Sequence, residues 1–401
     1  MEAKLTTSYG NIPFIPLHVI EEILLRLDVQ ILFQCAFICR DWNALITSSD
    51  FISHSSKRTF DSRNQILLIR ESAETRGSSS LSLSSRLSCC QPTYSLHWDN
   101  DQFDLLRTIK NPPVDDFKGT RLIGVSNGLV CLATKKPPKF ILWNPTVRKY
   151  VWFPFMMTWD EAILSAEGFG FDCSSNDFKI VSLLYRRTDP FRFIIEVDSA
   201  WIFSYVSWSW KRLTIPSSWF AYRAEPPVFF NGVLYWRAYH EEEGSDDYDF
   251  ILTFNLTHEV FGRILFPSDA RLMGKISVVT TGDSLLLIQE TYEWHFDESD
   301  EETDEDEQVS NQFTIWITKG IDNHESWMNI FSITSEMDPD HILGARKNGD
   351  LILYMDGGQI LRFNPTTPTN LLVGAIEKSV SFRYHNESLY LLEKGEGVHS
   401  Y

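Results

Sequence analysis

At 401 residues the chain is too long for one small core and fits two domains of unequal size. A formal charge of −18 argues against a binder of nucleic-acid phosphates, which needs a basic surface, and suits a basic protein partner. No apolar stretch approaches the ~20 residues of a membrane span, and the opening residues lack the basic start and apolar run of a signal peptide, so neither membrane insertion nor secretion is expected.

Residues 1–12 read as a flexible N-terminus and residues 13–58 as a small helical domain. Pro16 sets the entry into a first helix, in which Leu17, Ile20, Ile23, Leu24 and Leu27 recur at helical spacing. Glu22 and Arg26 stand four apart on another face, and Asp28 stops or caps the unit. A second helix follows, with Ile31, Cys35, Ile38, Trp42 and Leu45 on one stripe, widened by Leu32, Ala36, Cys39 and Ile46, until the polar run at 47–50 breaks it. Two such helices cannot bury both stripes alone. Part of that surface must meet either the rest of the chain or a separate partner.

From about residue 60 to 395 the pattern is strand and turn. "SNGLVCLA" at 126–133, "FNGVLYWRA" at 230–238, "TGDSLLLIQ" at 281–289 and "KNGDLILYM" at 347–355 each place a tight-turn pair before an apolar strand, with "HNESLYLLE" at 385–393 as a weaker fifth copy. Each is followed by a strand–turn–strand element, as in "FILWNPTVRKYVWFP" at 140–154. Asn127, Asn176, Asn231 and Gly282 stand ~50 residues apart, a period that reads as a β-propeller of about six blades. Leftover strands near 64–70, 93–98 and 380–392 are expected to join as a closing blade built from both chain ends. The fold class is thus mainly β with a small N-terminal α unit, and a pair of stacked sandwiches is the alternative.

The helical stretch resembles an F-box. Pro16, Ile20, Glu22, Ile23, Leu24, Arg26, Leu27, Val29, Leu32, Cys39, Trp42, Leu45, Ile46 and Phe51 fall in register with that family's pattern, without a gap. It departs at Asp28 and Asp50, where prolines are usual, and at Ile31, where serine is usual. The resemblance implies docking on the Skp-type adaptor of a cullin-based ubiquitin ligase. The residues it points to are Ile15, Pro16, Ile20, Ile23, Leu24, Leu27, Asp28, Leu32, Ile38 and Trp42. The body resembles the F-box-associated, kelch-like domain of plant F-box proteins, most specifically in "GFGFDCSSNDFKIV" at 168–181, with "SNGLVCL" and "ILWNPTVRKY" in support. The S-locus F-box proteins of pollen, with ribonuclease partners, are among the relatives this implies.

Other motifs carry less. "GVSNG" at 124–128 has the Gly-x-Ser-x-Gly spacing of a nucleophile elbow, but a short strand follows Ser126 where that motif needs a helix. The acidic runs at 241–247 and 297–307 lack the spaced ligands of a calcium loop and read as solvated loops. Cys35, Cys39, Cys89, Cys90, Cys131 and Cys173 form no CxxC pair and have no histidine at zinc spacing, so free thiols are expected, with no metal and no cofactor. Trp219, Phe220, Tyr222 and Arg223 form an aromatic and cationic loop group of the kind that anchors protein interfaces. The combined expectation is a non-catalytic substrate receptor of a Skp–cullin–F-box ubiquitin ligase, cytoplasmic or nuclear, with a protein target. The rival expectations are a binding module outside any ligase and, further off, a propeller hydrolase.

Overall fold

A computed structural model gives the fold. The structure describes the chain from Ile15 to Tyr401 except for residues 61–65, 73–91, 115–116, 118–119, 136, 156–162, 190–193, 217, 223–226, 241–248, 268–269, 271–274, 282–283, 295–308, 319–326, 336–338, 356–357, 367–368, 376–378 and 393–396.

Four helices open the chain: α1 (Leu17–Leu24), α2 (Val29–Cys35), α3 (Arg40–Ile46) and α4 (Ser49–Phe60). The single second helix expected over 31–46 is two. After Cys35 the backbone tightens, with the Phe37 and Ile38 amides bonding to the Gln34 and Cys35 carbonyls, and Cys39 turns extended to start α3. Asn43 Nδ2 donates to the Ala36 carbonyl at 2.8 Å and pins the corner. The polar run at 47–50 interrupts the helical path only briefly. Ser48 Oγ accepts from the Phe51 amide, as an N-terminal cap does, and α4 begins there.

The rest of the described residues form a ring of six antiparallel sheets. Blade 1 holds β1 (Ile66–Ser72), β2 (Thr93–Trp98) and β3 (Leu105–Ile109). Blade 2 holds β4 (Arg121–Ser126), β5 (Leu129–Lys135), β6 (Pro138–Asn144) and β7 (Lys149–Pro154). Blade 3 holds β8 (Ile163–Asp172), β9 (Asp177–Asp189), β10 (Ile194–Ser204) and β11 (Ser209–Leu213). Blade 4 holds β12 (Trp219–Ala221), β13 (Val228–Phe230), β14 (Val233–His240), β15 (Asp249–Asn255) and β16 (Val260–Leu265). Blade 5 holds β17 (Lys275–Thr281), β18 (Ser284–Trp294), β19 (Val309–Thr318) and β20 (Met328–Ser335). Blade 6 holds β21 (Pro339–Ala345), β22 (Leu351–Met355), β23 (Gln359–Asn364) and β24 (Thr369–Ala375). The ring closes where β25 (Ser379–His385) pairs antiparallel with β1, Ile66 opposite His385 and Ser72 opposite Ser379, so blade 1 takes strands from both chain ends. A short β26 (His399–Ser400) adds to the outer edge of β7.

Period-two alternation explains why the strands read as unbroken apolar runs. Each blade is buried on both faces, so successive side chains enter different cores. Val130 and Leu132 pack between blades 1 and 2, whereas Leu129, Cys131 and Ala133 pack between blades 2 and 3. Leu285 and Leu287 face blade 4, and Leu286 and Ile288 face blade 6. Clusters of this kind fill the 3–4 and 6–1 seams too, the last with Ile69, Phe103, Ile352 and Phe382. The innermost strands β4, β8, β13, β17, β21 and β25 neighbour one another in cyclic order, which excludes the stacked-sandwich alternative.

The expected tight turns that are described sit where the sequence placed them, and the one at Gly282 falls outside the described residues. Asn127 and Gly128, and again Asn231 and Gly232, all have positive φ, the primed turn that matches strand twist. The expected fifth copy at 385–393 is different. β25 ends at His385, and residues 386–392 leave the sheet. Side chains of Asn144 and Lys149, not a neighbouring strand, take the carbonyls of Ser388, Tyr390 and Leu392.

Candidate docking surfaces

The helical unit has two apolar faces, and they meet different surroundings. Leu24, Leu32, Ile46 and Phe51 are buried against Val147, in the β6–β7 turn, and against Leu389 and Leu392. Leu24, at 1% exposure, and Leu32, at 0%, therefore support the unit from inside and present no contact surface, contrary to the expectation for those two residues. Ile20, Leu27 and Trp42 are half-buried along the same cluster. Ile15, Pro16, Ile23, Asp28 and Ile38 are exposed.

Periodicity placed Leu17, Ile23, Ile31 and Ile38 on the helical stripes but did not single out Val19 or Phe37, and all six are exposed. Leu17 and Val19 stand out from α1 beside Ile23, which is 51% exposed. Ile31 is exposed on α2, and Phe37 (71%) and Ile38 (66%) project from the α2–α3 corner. Phe37 is held edge-on by Phe33, ring centroids 5.2 Å apart. The i, i+4 pair Val19 and Ile23 was visible as a second stripe on α1. The exposure of Phe37 depends on the break after Cys35, where the apolar spacing alone predicts continuous helix.

On the ring, the β6–β7 turn meets the helices through Val147, the β4–β5 and β8–β9 turns meet Ser388 and Tyr390 beside them, and the β15–β16 turn follows, with Thr257 reaching Asp172. The β8–β9 turn on that face is built around Asp172. Its carboxylate accepts from the Ser174 amide at 3.0 Å, from the hydroxyls of Ser174, Ser175 and Thr257, and from Lys179 Nζ at 3.0 Å. Burial pushes this carboxyl up, but those hydrogen bonds outweigh it and hold it well below the usual carboxylate range. Lys179 also donates to the Leu256 carbonyl at 2.8 Å and pairs with Glu259, so the network ties blade 3 to blade 4. Arg346 does the same for the closing seam, reaching Asp99 of blade 1 at 2.6 Å while facing Asp350 of its own blade.

Of the aromatic group, Trp219, Phe220 and Tyr222 lie on the opposite face. Residues 219–221 are strand β12, paired to the far end of β14, and are not a loop. Phe220 is buried, stacked on Tyr239 with centroids 5.4 Å apart. Trp219 is half-buried against Phe250. Tyr222 donates its hydroxyl to Asp249 at 3.0 Å and lies 4.5 Å under the Arg237 guanidinium, and burial beside that carboxylate pushes its pKa up to about 12. Packing inside blade 4 thus uses Phe220 and much of Tyr222. Arg223 falls outside the described residues, as do both acidic runs, which connect β14 to β15 and β18 to β19. Ser126 ends β4, and after the two-residue turn comes β5, so no elbow onto a helix exists there.

The F-box associated beta propeller domain family matches residues 90–377, and the F-box domain family matches residues 12–54. The chain belongs to the F-box associated β-propeller family. Among curated relatives, the F-box/kelch-repeat protein At3g23880 of Arabidopsis thaliana is 26% identical over 63% of this chain and 65% of its own length. The F-box protein CPR1 of the same plant is 23% identical over 80% of this chain and 73% of its own. Among solved structures, apo AztD from Citrobacter koseri matches at a TM-score of 0.34 with 10% identity, over 79% of this chain and 84% of that one, too loosely to bear on function. The helical unit is accordingly the F-box and the ring the associated propeller. Among the described residues, no helix is long and apolar enough to cross a membrane.

Proposed function

We propose that this F-box protein is the substrate receptor of a Skp–cullin–F-box ubiquitin ligase, acting in the cytoplasm or nucleus. The observation that carries the reading is the exposed apolar face of the F-box, with Leu17, Ile23, Ile31, Phe37 and Ile38. The inner stripe already has its cover in the propeller, so this outer face is surplus to folding. Apolar side chains left exposed in such number on so small a unit mark a protein interface. Fully burying five such side chains contributes roughly 7–15 kcal/mol gross at ~1.5–3 each, against association costs of ~4–15 kcal/mol. Docking on a Skp-type adaptor through this face would link the chain to a cullin.

The receptor performs no chemistry of its own in this reading. It raises the effective concentration of target lysines near a charged ubiquitin carrier. The target surface is assigned to the propeller face away from the F-box, where Trp219 and Tyr222 lie and where the acidic runs attach. A basic protein suits it.

The test is Ile23→Asp combined with Ile38→Asp in the full chain. Both positions are exposed, so unfolding temperature should stay within a degree or two of wild type. Co-purification with a recombinant Skp-type adaptor should be lost, because an unpaired charge at an apolar interface is costly. Adaptor binding that survives both changes would sink the docking assignment.

A further inference from the structure

The last residues of the chain complete two interiors at once. After β25 has closed blade 1, residues 386–392 cross to the helices as a strap. On the F-box side, Leu389 and Leu392 are buried in one cluster with Leu24, Leu32, Ile46 and Phe51, and Glu387 accepts from Gln30 Nε2 at 3.1 Å. On the propeller side, Asn144 Nδ2 donates to the carbonyls of Ser388 at 2.9 Å and Tyr390 at 2.7 Å. Lys149 Nζ donates to the Leu392 carbonyl, and Arg107 pairs with Glu387 at 2.6 Å.

Two family signatures converge beneath this strap. Asn144, fully buried, belongs to "ILWNPTVRKY"; its Oδ1 accepts from the Thr146 and Val147 amides while its amide group holds the strap. Gly128 belongs to "SNGLVCL". Its φ is +79°, and a Cβ there would stand 2.3 Å from Ser388 Oγ and 2.6 Å from the Asn386 carbonyl, so glycine is needed for the strap to pass. Leu391, with φ +67°, sits in the left-handed region that a non-glycine residue avoids, and its burial among Phe171 and Phe178 holds it there.

The F-box helices have 8, 7, 7 and 12 residues, too short to persist without tertiary packing. Their inner stripe is lined by a segment that arrives more than three hundred residues later and only where the ring has closed. We infer that the strap couples ring closure to adaptor docking: the F-box takes its ordered, binding-competent form only with the strap seated. An open or truncated ring then does not present the adaptor surface, since apparent affinity falls with the ordered fraction. The inference rests on the docking reading above and concerns its regulation.

The experiment measures hydrogen exchange across the full chain, and affinity for a purified Skp-type adaptor, in wild type and in Gly128→Ala, Asn144→Ala and Leu389→Ala. Each variant should exchange at least tenfold faster in residues 17–60 together with 386–392, keep its protection in β13–β20, and bind adaptor at least tenfold more weakly. Unchanged exchange in the helices in all three overturns the coupling, whatever adaptor does. A wild type that binds no adaptor overturns the docking reading alone, because the exchange data still decide the coupling. Should the alanine forms lose protection in every blade, the milder Leu389→Val decides: selective loosening of 17–60 supports the strap, and uniform loosening overturns it.

Discussion

His385 gives the propeller an acid-sensitive seam. It lies at the end of β25, 1% exposed, with neither ring nitrogen hydrogen-bonded. Burial, aided by the nearby Arg107 cation, pushes its pKa down to about 3 from an ordinary 6.5. The folded chain therefore binds fewer protons than the unfolded chain between those two values. Stability present above pH 6.5 is lost as pH falls towards 3. At about 1.4 kcal/mol per pKa unit, lowering the pH to 5 removes about 2 kcal/mol, a roughly 30-fold shift toward the unfolded state. Asp172 contributes almost nothing in that window, because its unfolded form titrates near 3.8. His385→Leu removes two unsatisfied polar atoms at similar volume, so it should be as stable as wild type or more so at pH 7. Urea unfolding followed by tryptophan fluorescence, at pH 7 and pH 5 in both proteins, reads the difference. Equal losses in wild type and His385→Leu would show that the imidazole is not held neutral by its surroundings.

Three further outcomes follow from the ring. Lys179→Met leaves the buried Asp172 carboxylate without its cation and should cost about 3–5 kcal/mol in urea unfolding; a loss below about 1 kcal/mol would mean that water screens the pair. Ending the chain after residue 378 removes β25 and leaves the edge of β1 open, so light scattering should detect aggregation, and a folded monomer would contradict closure by both chain ends. Replacing residues 297–307, nine of them Asp or Glu, with a short Gly-Ser linker should leave the unfolding temperature nearly unchanged but slow association with a basic target at low salt.

The ring was legible because each blade repeats one local grammar. Asn-Gly turns and apolar runs at a ~50-residue period gave the blades, and the stray strands at both ends gave the closure. The F-box register was legible as well, since the stripe of Ile20, Leu24 and Leu27 has helical spacing whatever it packs against. What periodicity does not carry is the identity of the neighbour. Leu24 and Ile23 are adjacent in one apolar pattern, yet one is buried by Leu389 and Leu392 and the other is exposed. Nothing local to α1 distinguishes them, because the deciding atoms come from the far end of the chain. The same limit produced the false fifth repeat. "HNESLYLLE" has the apolar content of a strand because Leu389 and Leu392 enter the F-box core while Leu391 enters the seam between blades 2 and 3. Two burial destinations on either side of one segment give the composition of a strand buried on both faces. Only its hydrogen bonds differ: they run to the side chains of Asn144 and Lys149, which flank the β6–β7 hairpin turn. A buried asparagine at the end of a strand has a full set of donors and acceptors to satisfy, and a hairpin turn uses only its oxygen. Burial, which the sequence does not show, is what turns the leftover amide of Asn144 into a demand for another segment; the equivalent amide of Asn364 finds Asp350 in its own blade.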